Sequence, residues 1–391
     1  MSPSSDEDRS ADVPDSGGED AMRFFSRTCR SVVTAVLAAG ALALTAACGS
    51  AAAPAAAGGS VADPNEGGGP AWQAVVDAAN KEGQVVLYSN SDGVNAEFEA
   101  AWAKAYPGIE LVVSKYASGE LTTKLDAEKG GGVAGADVIT VSTKPWLEAN
   151  LNVLVASTGP ALGKYWGDSS YVYGDGKYVL AAATPLGAGI NTEQLAKLGN
   201  PPVTTYKDLL APQLKGALGI VPGTGAPAAE QWWFYAAKEM GGDPAVGQLA
   251  DLQPRLYTVP ATLATDLASG EVAVGAYNIK GTIDALAAKG APVEFVTLEP
   301  VISTPVTAAV VGWAKNPNAA QVFQNWLLSP AGQIALNGSG SLLTPLDLAA
   351  LGEVPTTMRS IPAGATVVDG VLTPEQKTWV TDLWNAKMRL G

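Results

Sequence analysis

Gln84–Ser89 (QVVLYS) is a short run of strand-favouring apolar residues and predicts a buried strand. Over Ala96–Tyr106 the spacing changes to a helical one that sets Phe98, Trp102 and Ala105 on one face, and Pro107-Gly108 stops it. Ile109–Tyr116 predicts a second strand, Ser118 caps a helix running through Lys129, and Ala136–Val141 is a third strand. Further strands are predicted at Gly216–Pro222, Val272–Asn278, Val293–Leu298 and Thr307–Ala314. Helices are predicted at Ala228–Met240, with Pro227 in its first turn, and at Pro317–Leu328. Thr373-Pro374-Glu375-Gln376 is a capping box that opens a last helix to about Met388. Strands alternating with helices imply an α/β fold with a mainly parallel, doubly wound sheet.

Residues 1–71 follow a different pattern. An uncharged Ala- and Leu-rich run from Ser31 to Ala47 follows Arg23, Arg27 and Arg30, the layout of a secretory signal, and is short for a bilayer span of roughly 20 residues. It ends on Thr45-Ala46-Ala47-Cys48, small residues before a cysteine. This junction resembles the bacterial lipobox, which implies lipidation of Cys48 and cleavage before it. Residues 1–21 are acidic and precede Met22, so they are read as a mis-called extension with translation starting at Met22. Residues 22–47 are the signal peptide, and residues 48–71, rich in Ala, Gly and Pro, form a flexible tether. The reading is of an exported chain held on the outer face of the cell membrane by lipidated Cys48.

Composition removes several classes of function. The 391-residue chain carries a net charge of −14, which argues against binding nucleic acid along its phosphates. It contains no histidine, which excludes Ser-His-Asp and Cys-His catalysis and His-containing zinc sites. Its only cysteines are Cys29, within the signal, and Cys48, so the folded body is held by core packing rather than disulfides. Glu120, Asp126 and Glu128 fall on one helix and read as a solvated face, not a catalytic pair. No GxxxxGK[ST] run is present. No enzymatic activity and no cofactor are expected.

A set of segments in fixed order carries a resemblance: EGQVVLYSNSDG (82–93), FEAAWAKAYPGIELVV (98–113), SGELTTKLDAEK (118–129), GADVITVS (135–142), LGAGINTEQL (186–195), GIVPGTGAPAAEQWWFYAAKEMGGD (219–243), GEVAVGAYN (270–278) and PVTAAVVGWAKNPNAAQVFQNWLLSPAGQIAL (305–336). Together they resemble the extracellular solute-binding lipoproteins of bacterial ABC importers, the branch that includes ferric-iron binders. The resemblance implies a two-lobed periplasmic-binding-protein type II fold with two crossover hinge strands and a ligand cleft. Mapped onto this chain, the first lobe is 72–183 plus 305–345 and the second is 184–304 plus 346–391. It also implies a monomer that hands a small solute to a permease and an ATPase.

The expected contacts lie at strand ends and helix starts facing the cleft. From the first lobe they are Ser89, Asn90, Ser91 and Asp92, then Ser118 and Gly119 at a helix N-terminus suited to an anion, then Ser142 and Thr143. Ser, Asn and Asp at these places serve equally as helix caps. From the second lobe they are Thr224, Gly225 and Ala226 in a Gly-rich turn, and Tyr277 with Asn278; one of Trp232 and Trp233 is expected to wall the cleft. Ferric binders carry adjacent tyrosines at the Tyr277-Asn278 position, assisted by a histidine or carboxylate. Here Asn278 replaces one tyrosine, leaving Asp92 and Tyr277 as the oxygen ligands if iron is the cargo. A small anion or zwitterion such as a phosphonate, phosphate ester or carboxylate is the favoured solute. A polyamine, a sensing role and, less favoured, a lipid-anchored hydrolase are the alternatives.

Overall fold

The computed structural model describes residues 63–388 except 134, 168, 225–226 and 369–371. The extension 1–21, the signal 22–47, Cys48, the tether up to residue 62, Gly225 and Ala226 therefore lie outside the described residues. Among the described residues no helix is long and apolar enough to cross a membrane.

The strands are β1 (Gln84–Ser89), β2 (Glu110–Lys115), β3 (Val138–Val141), β4 (Tyr178–Asn191), β5 (Leu218–Ile220), β6 (Val274–Ile279), β7 (Val293–Val296) and β8 (Ile302–Val311), with shorter pieces besides. The helices that matter for the site are α1 (Gly69–Glu82), α2 (Ala96–Ala105), α3 (Ser118–Gly131), α4 (Pro227–Met240), α5 (Pro260–Ser269), α6 (Lys280–Ala287), α7 (Pro317–Leu328) and α8 (Pro374–Met388). The main sheet runs β2-β1-β3-β8-β4-β6-β5. β1 is parallel to β2 and β3, and β5 is parallel to β6. Between these parallel sets β8 and β4 run antiparallel to their neighbours, as strands that carry the chain across and back.

Two large cores lie on either side of these long strands. In one, Phe98 and Trp102 of α2 meet Phe323 and Trp326 of α7, with ring centroids 5.0 to 6.1 Å apart. Ala105, expected on that same face, is exposed: it stands at the helix's last turn, beyond the contact. In the other core Trp232 and Trp233 of α4 pack edge-to-face, and Trp384 of α8 closes on Trp233 at 4.6 Å. Burying such rings contributes about 1.5–3 kcal/mol each on an area basis, so these clusters hold each side together without disulfides. Leu346, Leu351 and Met358 pack with Trp166, Val179 and Leu328. The stretch after residue 345 thus packs first beside Trp166 and Leu328, and Val368, Leu372 and α8 then join the second core. The capping box at Thr373 is formed, with Thr373 N–H donating to Gln376 Oε1 at 3.0 Å and Gln376 N–H to Thr373 Oγ1 at 3.3 Å.

β4 is the main element that local pattern does not announce. Its 14 residues include Pro185, Gly187 and Gly189, which read as turn residues. They are tolerated for different reasons. A Cβ on Gly187 would sit 2.3 Å from the Val296 carbonyl oxygen, so only glycine lets β7 approach. Pro185 and Pro305 lie where β4 and β8 pass one another, with Ser303 opposite Pro185 and Pro305 opposite Ala183. Each proline lacks an N–H, and the register shifts just past Pro305, between Val306 and Thr307. The ladder is weakest between the two cores, where a hinge needs least resistance.

Candidate functional site

The loop after β1 alternates between structural and outward-facing residues. Ser89 is fully buried; its Oγ accepts from Ser91 N–H at 3.0 Å and from Thr140 Oγ1 at 2.7 Å. Ser91 is also buried, its Oγ accepting from Gly93 N–H at 3.3 Å while its carbonyl accepts from Lys115 Nζ. Ser89 and Ser91 therefore shape the loop instead of facing the cleft: both hydroxyls are used inside the fold. Burial pulls Lys115 below the usual lysine range, against the fields of Asp92 and Glu99. Asn90 and Asp92 point the other way, into the cleft.

Asn90 ties three elements together. Its Nδ2 donates to Ser118 Oγ at 2.8 Å and to Ser142 Oγ at 2.6 Å, joining the β1 loop to the start of α3 and the end of β3. Its Oδ1 is buried with no hydrogen-bond partner among the described residues. Ser118 is not the helix cap: Ala117 holds that place in an extended conformation, and no side chain caps the helix. The first helical bond is Leu121 N–H to the Ala117 carbonyl at 2.9 Å. The amides of Ser118, Gly119 and Glu120 precede that bond and point out of the helix end. A Cβ on Gly119 would meet nothing within 4 Å, so the approach to these amides is open. An uncapped N-terminus of this kind favours an anion.

On the opposite wall, β6 pairs with β4 through Asn278–Gly187 and Ala276–Ala188. Tyr277 is the extra residue between them, a β-bulge with φ of +66°. The bulge breaks the alternation of the strand and turns Tyr277 to the cleft. Asn278 is left facing inward, 1% exposed, with Nδ2 donating to the Gly275 carbonyl at 2.8 Å; it does not line the cleft. Burial pushes the Tyr277 phenol up to about 12, so it stays protonated at neutral pH. Its ring lies 5.9 Å from Trp232.

Of the Gly-rich turn, Gly223 and Thr224 are described, while Gly225 and Ala226 lie outside the described residues. Gly223 lies under the C-terminal helix, where a Cβ would come within 2.4 Å of Trp384 Nε1. Thr224 is half-buried and is not among the lining residues of the cleft. Neither tryptophan walls the cleft: Trp232 and Trp233 are both fully buried, Trp233 donating to the Val221 carbonyl at 2.6 Å. The helix instead presents Ala228 and Gln231.

These groups enclose a cleft of about 660 Å³. Asn90, Asp92, Ser118, Gly119, Ser142 and Thr143 line it with Tyr277. Sequence reasoning missed Thr122, Thr184, Thr304 and Gln231, with Leu186 and Ile279 as apolar lining. Thr184 and Thr304 had a signal, since each sits in a Thr-Pro pair on a long apolar strand. Asp92 is the one carboxylate among the lining residues, and neither lysine nor arginine is among them. Among the described residues no group of three or more His, Cys, Asp or Glu is placed to hold a metal ion. Asp92 and Tyr277 both line the cleft.

The arrangement sets hydrogen-bonding groups from both ends of the crossing strands around one space. Residues 84–341 match the family of bacterial extracellular solute-binding proteins. The chain belongs to that family. A Haemophilus influenzae relative of uncharacterised function is 28% identical over 283 residues, 66% of this chain and 77% of the relative. Among solved structures, the periplasmic binding protein AfuA of Actinobacillus pleuropneumoniae, with fructose-6-phosphate bound, is 21% identical. The match covers 79% of this chain and 100% of AfuA with a TM-score of 0.55. Iron-bound HitA of Pseudomonas aeruginosa is 22% identical over 79% of this chain and 99% of its own, with a TM-score of 0.51. The spermidine/putrescine-transporter protein PotD of Streptococcus pneumoniae is 13% identical over 78% and 98%, with a TM-score of 0.55. At these identities the likeness is one of fold: a solute-binding protein of the periplasmic-binding-protein type II class.

Proposed function

We propose that this solute-binding protein is a lipid-anchored, non-catalytic receptor that captures a small organic anion or zwitterion and passes it to an ABC importer. The observation that carries the reading is the uncapped N-terminus of α3, opening into a hydroxyl-lined cleft with Tyr277 on the facing wall. Helix amides and Ser118, Ser142 and Thr143 suit an anionic group, and Asp92 suits an ammonium on the same molecule. Solute contacts to both walls favour the shut form, so capture and hinge closure are one equilibrium. Neighbours of this fold bind a sugar phosphate and iron, so the fold itself leaves the cargo open.

Ferric iron is disfavoured, because one phenol and one carboxylate make a poor cage for a hard trivalent ion. Two-carboxylate hydrolysis is disfavoured because Asp92 has no second carboxylate in the lining. Anchoring rests on Cys48 and its small-residue junction; Cys48→Ala is expected to release the protein from the membrane fraction. The capture reading is tested by thermal unfolding of the purified protein across a panel of organic phosphates, phosphonates, carboxylates, amino acids, polyamines and ferric citrate. A solute at 100 times its Kd adds about 2.7 kcal/mol of stability. A panel with no shift from any class refutes the receptor.

A further inference from the structure

We infer that Gln231 selects solutes carrying hydroxyl groups, and that the cargo is a hydroxylated organic acid. This rests on the receptor reading above and narrows it. Gln231 lies on α4 and lines the cleft, yet its side chain is 1% exposed and both its Oε1 and Nε2 have no hydrogen-bond partner among the described residues. Its neighbours on the helix are accounted for: Glu230 pairs with Lys377 at 3.4 Å, and Trp232 and Trp233 fill the core. A glutamine in this place gains nothing for the fold, because a buried amide that makes no bond is costly where leucine is not.

What satisfies such an amide is chemically narrow. The oxygen needs a donor and the nitrogen needs an acceptor, and exchanging the two ends leaves that requirement unchanged. An ammonium only donates, a fully ionised phosphate or carboxylate only accepts, and a metal ion donates no proton, so none of these groups alone meets both needs. A hydroxyl does both. Across the cleft, Asn90 Oδ1 is a second buried acceptor without a partner, and Thr184 and Thr304 add hydroxyls that also give and take hydrogen bonds. The helix end at Ser118–Gly119 takes the anionic group, and the Gln231 side of the cleft takes the hydroxylated part. A hydroxyl-free analogue leaves the Gln231 amide unpaired inside a closed cleft, which is the strongest form of discrimination available to a binding site.

Calorimetric titration with matched pairs tests this: hexose 6-phosphate against n-hexyl phosphate, glycerol 3-phosphate against n-propyl phosphate, and glycerate against propionate. In at least one pair the hydroxylated member is expected to bind at least tenfold more tightly. Gln231→Leu should reduce that preference to threefold or less while the ligand-free melting midpoint stays level or rises, an outcome a merely structural glutamine does not give. Gln231→Glu, which keeps the acceptor and loses the donor, should weaken the hydroxylated member by at least tenfold. Equal binding within every pair, a preference that survives Gln231→Leu, or tight binding confined to amines or ferric ion overturns the proposal and leaves the receptor standing. If no solute of any class binds, it is the receptor reading that fails.

Discussion

Thr184 and Thr304 face one another directly across the β4–β8 ladder, and each is the single position of its strand that is not buried. Both line the cleft, and each is followed by a proline, Pro185 or Pro305, that brings no N–H to the pairing. The floor of the cleft and the proline-bearing stretch of the crossing strands are therefore the same few residues. A solute that engages these hydroxyls acts on the hinge itself, and its binding energy is spent where the two sides move.

Thr304→Val and Thr184→Val keep the branched shape and strand propensity and remove only the hydroxyl. Either change is expected to weaken solute binding by about tenfold, the equivalent of one hydrogen bond of ~1.4 kcal/mol. Stability without solute should stay within about 0.5 kcal/mol, since the positions are half-buried at a wet surface. Paired titrations and urea melts check this. Loss of stability with unchanged affinity would make the pair a structural feature alone.

Legibility varied with how local the cause was. β1, α7 and α8 begin and end where their apolar runs, prolines and caps say they should, because short-range chemistry sets those ends. The order of strands and helices was legible for the same reason. β4 was hidden because Pro185 and Gly187 answer to contacts made by β8 and β7, more than a hundred residues away in the chain, and Gly189 to Leu267 of α5 and Ile283 of α6. Tyr277 and Asn278 are adjacent in sequence, yet the bulge sends one to the cleft and the other into the core. Gln231 carries no pattern signal, since a polar residue on an amphipathic helix ordinarily faces water. Its importance comes from burial that only the assembled fold supplies.

Tyr277→Phe is expected to reduce affinity several-fold while leaving the fold intact, as the ring keeps its packing near Trp232. The phenol also sets a pH limit. Its folded pKa, about 12, lies above the unfolded value of about 10, so the protein gains stability from the neutral phenol below pH 10 and loses it as pH rises toward 12. Ultraviolet titration of phenolate should show a late-ionising tyrosine in the native protein that is missing in Tyr277→Phe. A phenolate signal at pH 11 that is a full tyrosine lower in Tyr277→Phe than in the native protein would contradict this placement.

Asp208 gives the opposite dependence. Burial alone would push its carboxyl up, but the backbone amides and hydroxyls of Thr204 and Thr205 outweigh it and hold it below the usual aspartate range. Asp208 Oδ2 accepts from Thr205 N–H at 2.7 Å and Thr204 N–H at 2.8 Å, closing a capping box on the short helix Tyr206–Leu210. Its contribution is present above the unfolded pKa near 3.9 and is lost as pH falls through the lower folded value. Asp208→Ala should cost ~1 kcal/mol at pH 7, with the gap to wild type shrinking as the pH drops below about 4. A gap that is equal at pH 7 and pH 2.5 would show that the carboxylate is not its source.

Gly223 and Trp384 couple the C-terminal helix to the wall that carries Gln231. A Cβ at Gly223 would lie 2.4 Å from Trp384 Nε1 and 3.1 Å from Trp233 Cβ. Trp384 is fully buried, edge-on to Trp233 at 4.6 Å, so its ring has nowhere to retreat. Gly223→Ala is expected to destabilise the protein by about 1–3 kcal/mol through this overlap. Trp384→Ala alone removes a buried ring and should cost about 3–5 kcal/mol. Because the methyl clashes with the ring that the second change deletes, the double variant should be more stable than the sum of the two costs predicts, by at least about 1 kcal/mol. Urea unfolding of the four proteins measures that coupling, and strict additivity would mean the turn relaxes away from Trp384 instead of pressing on it.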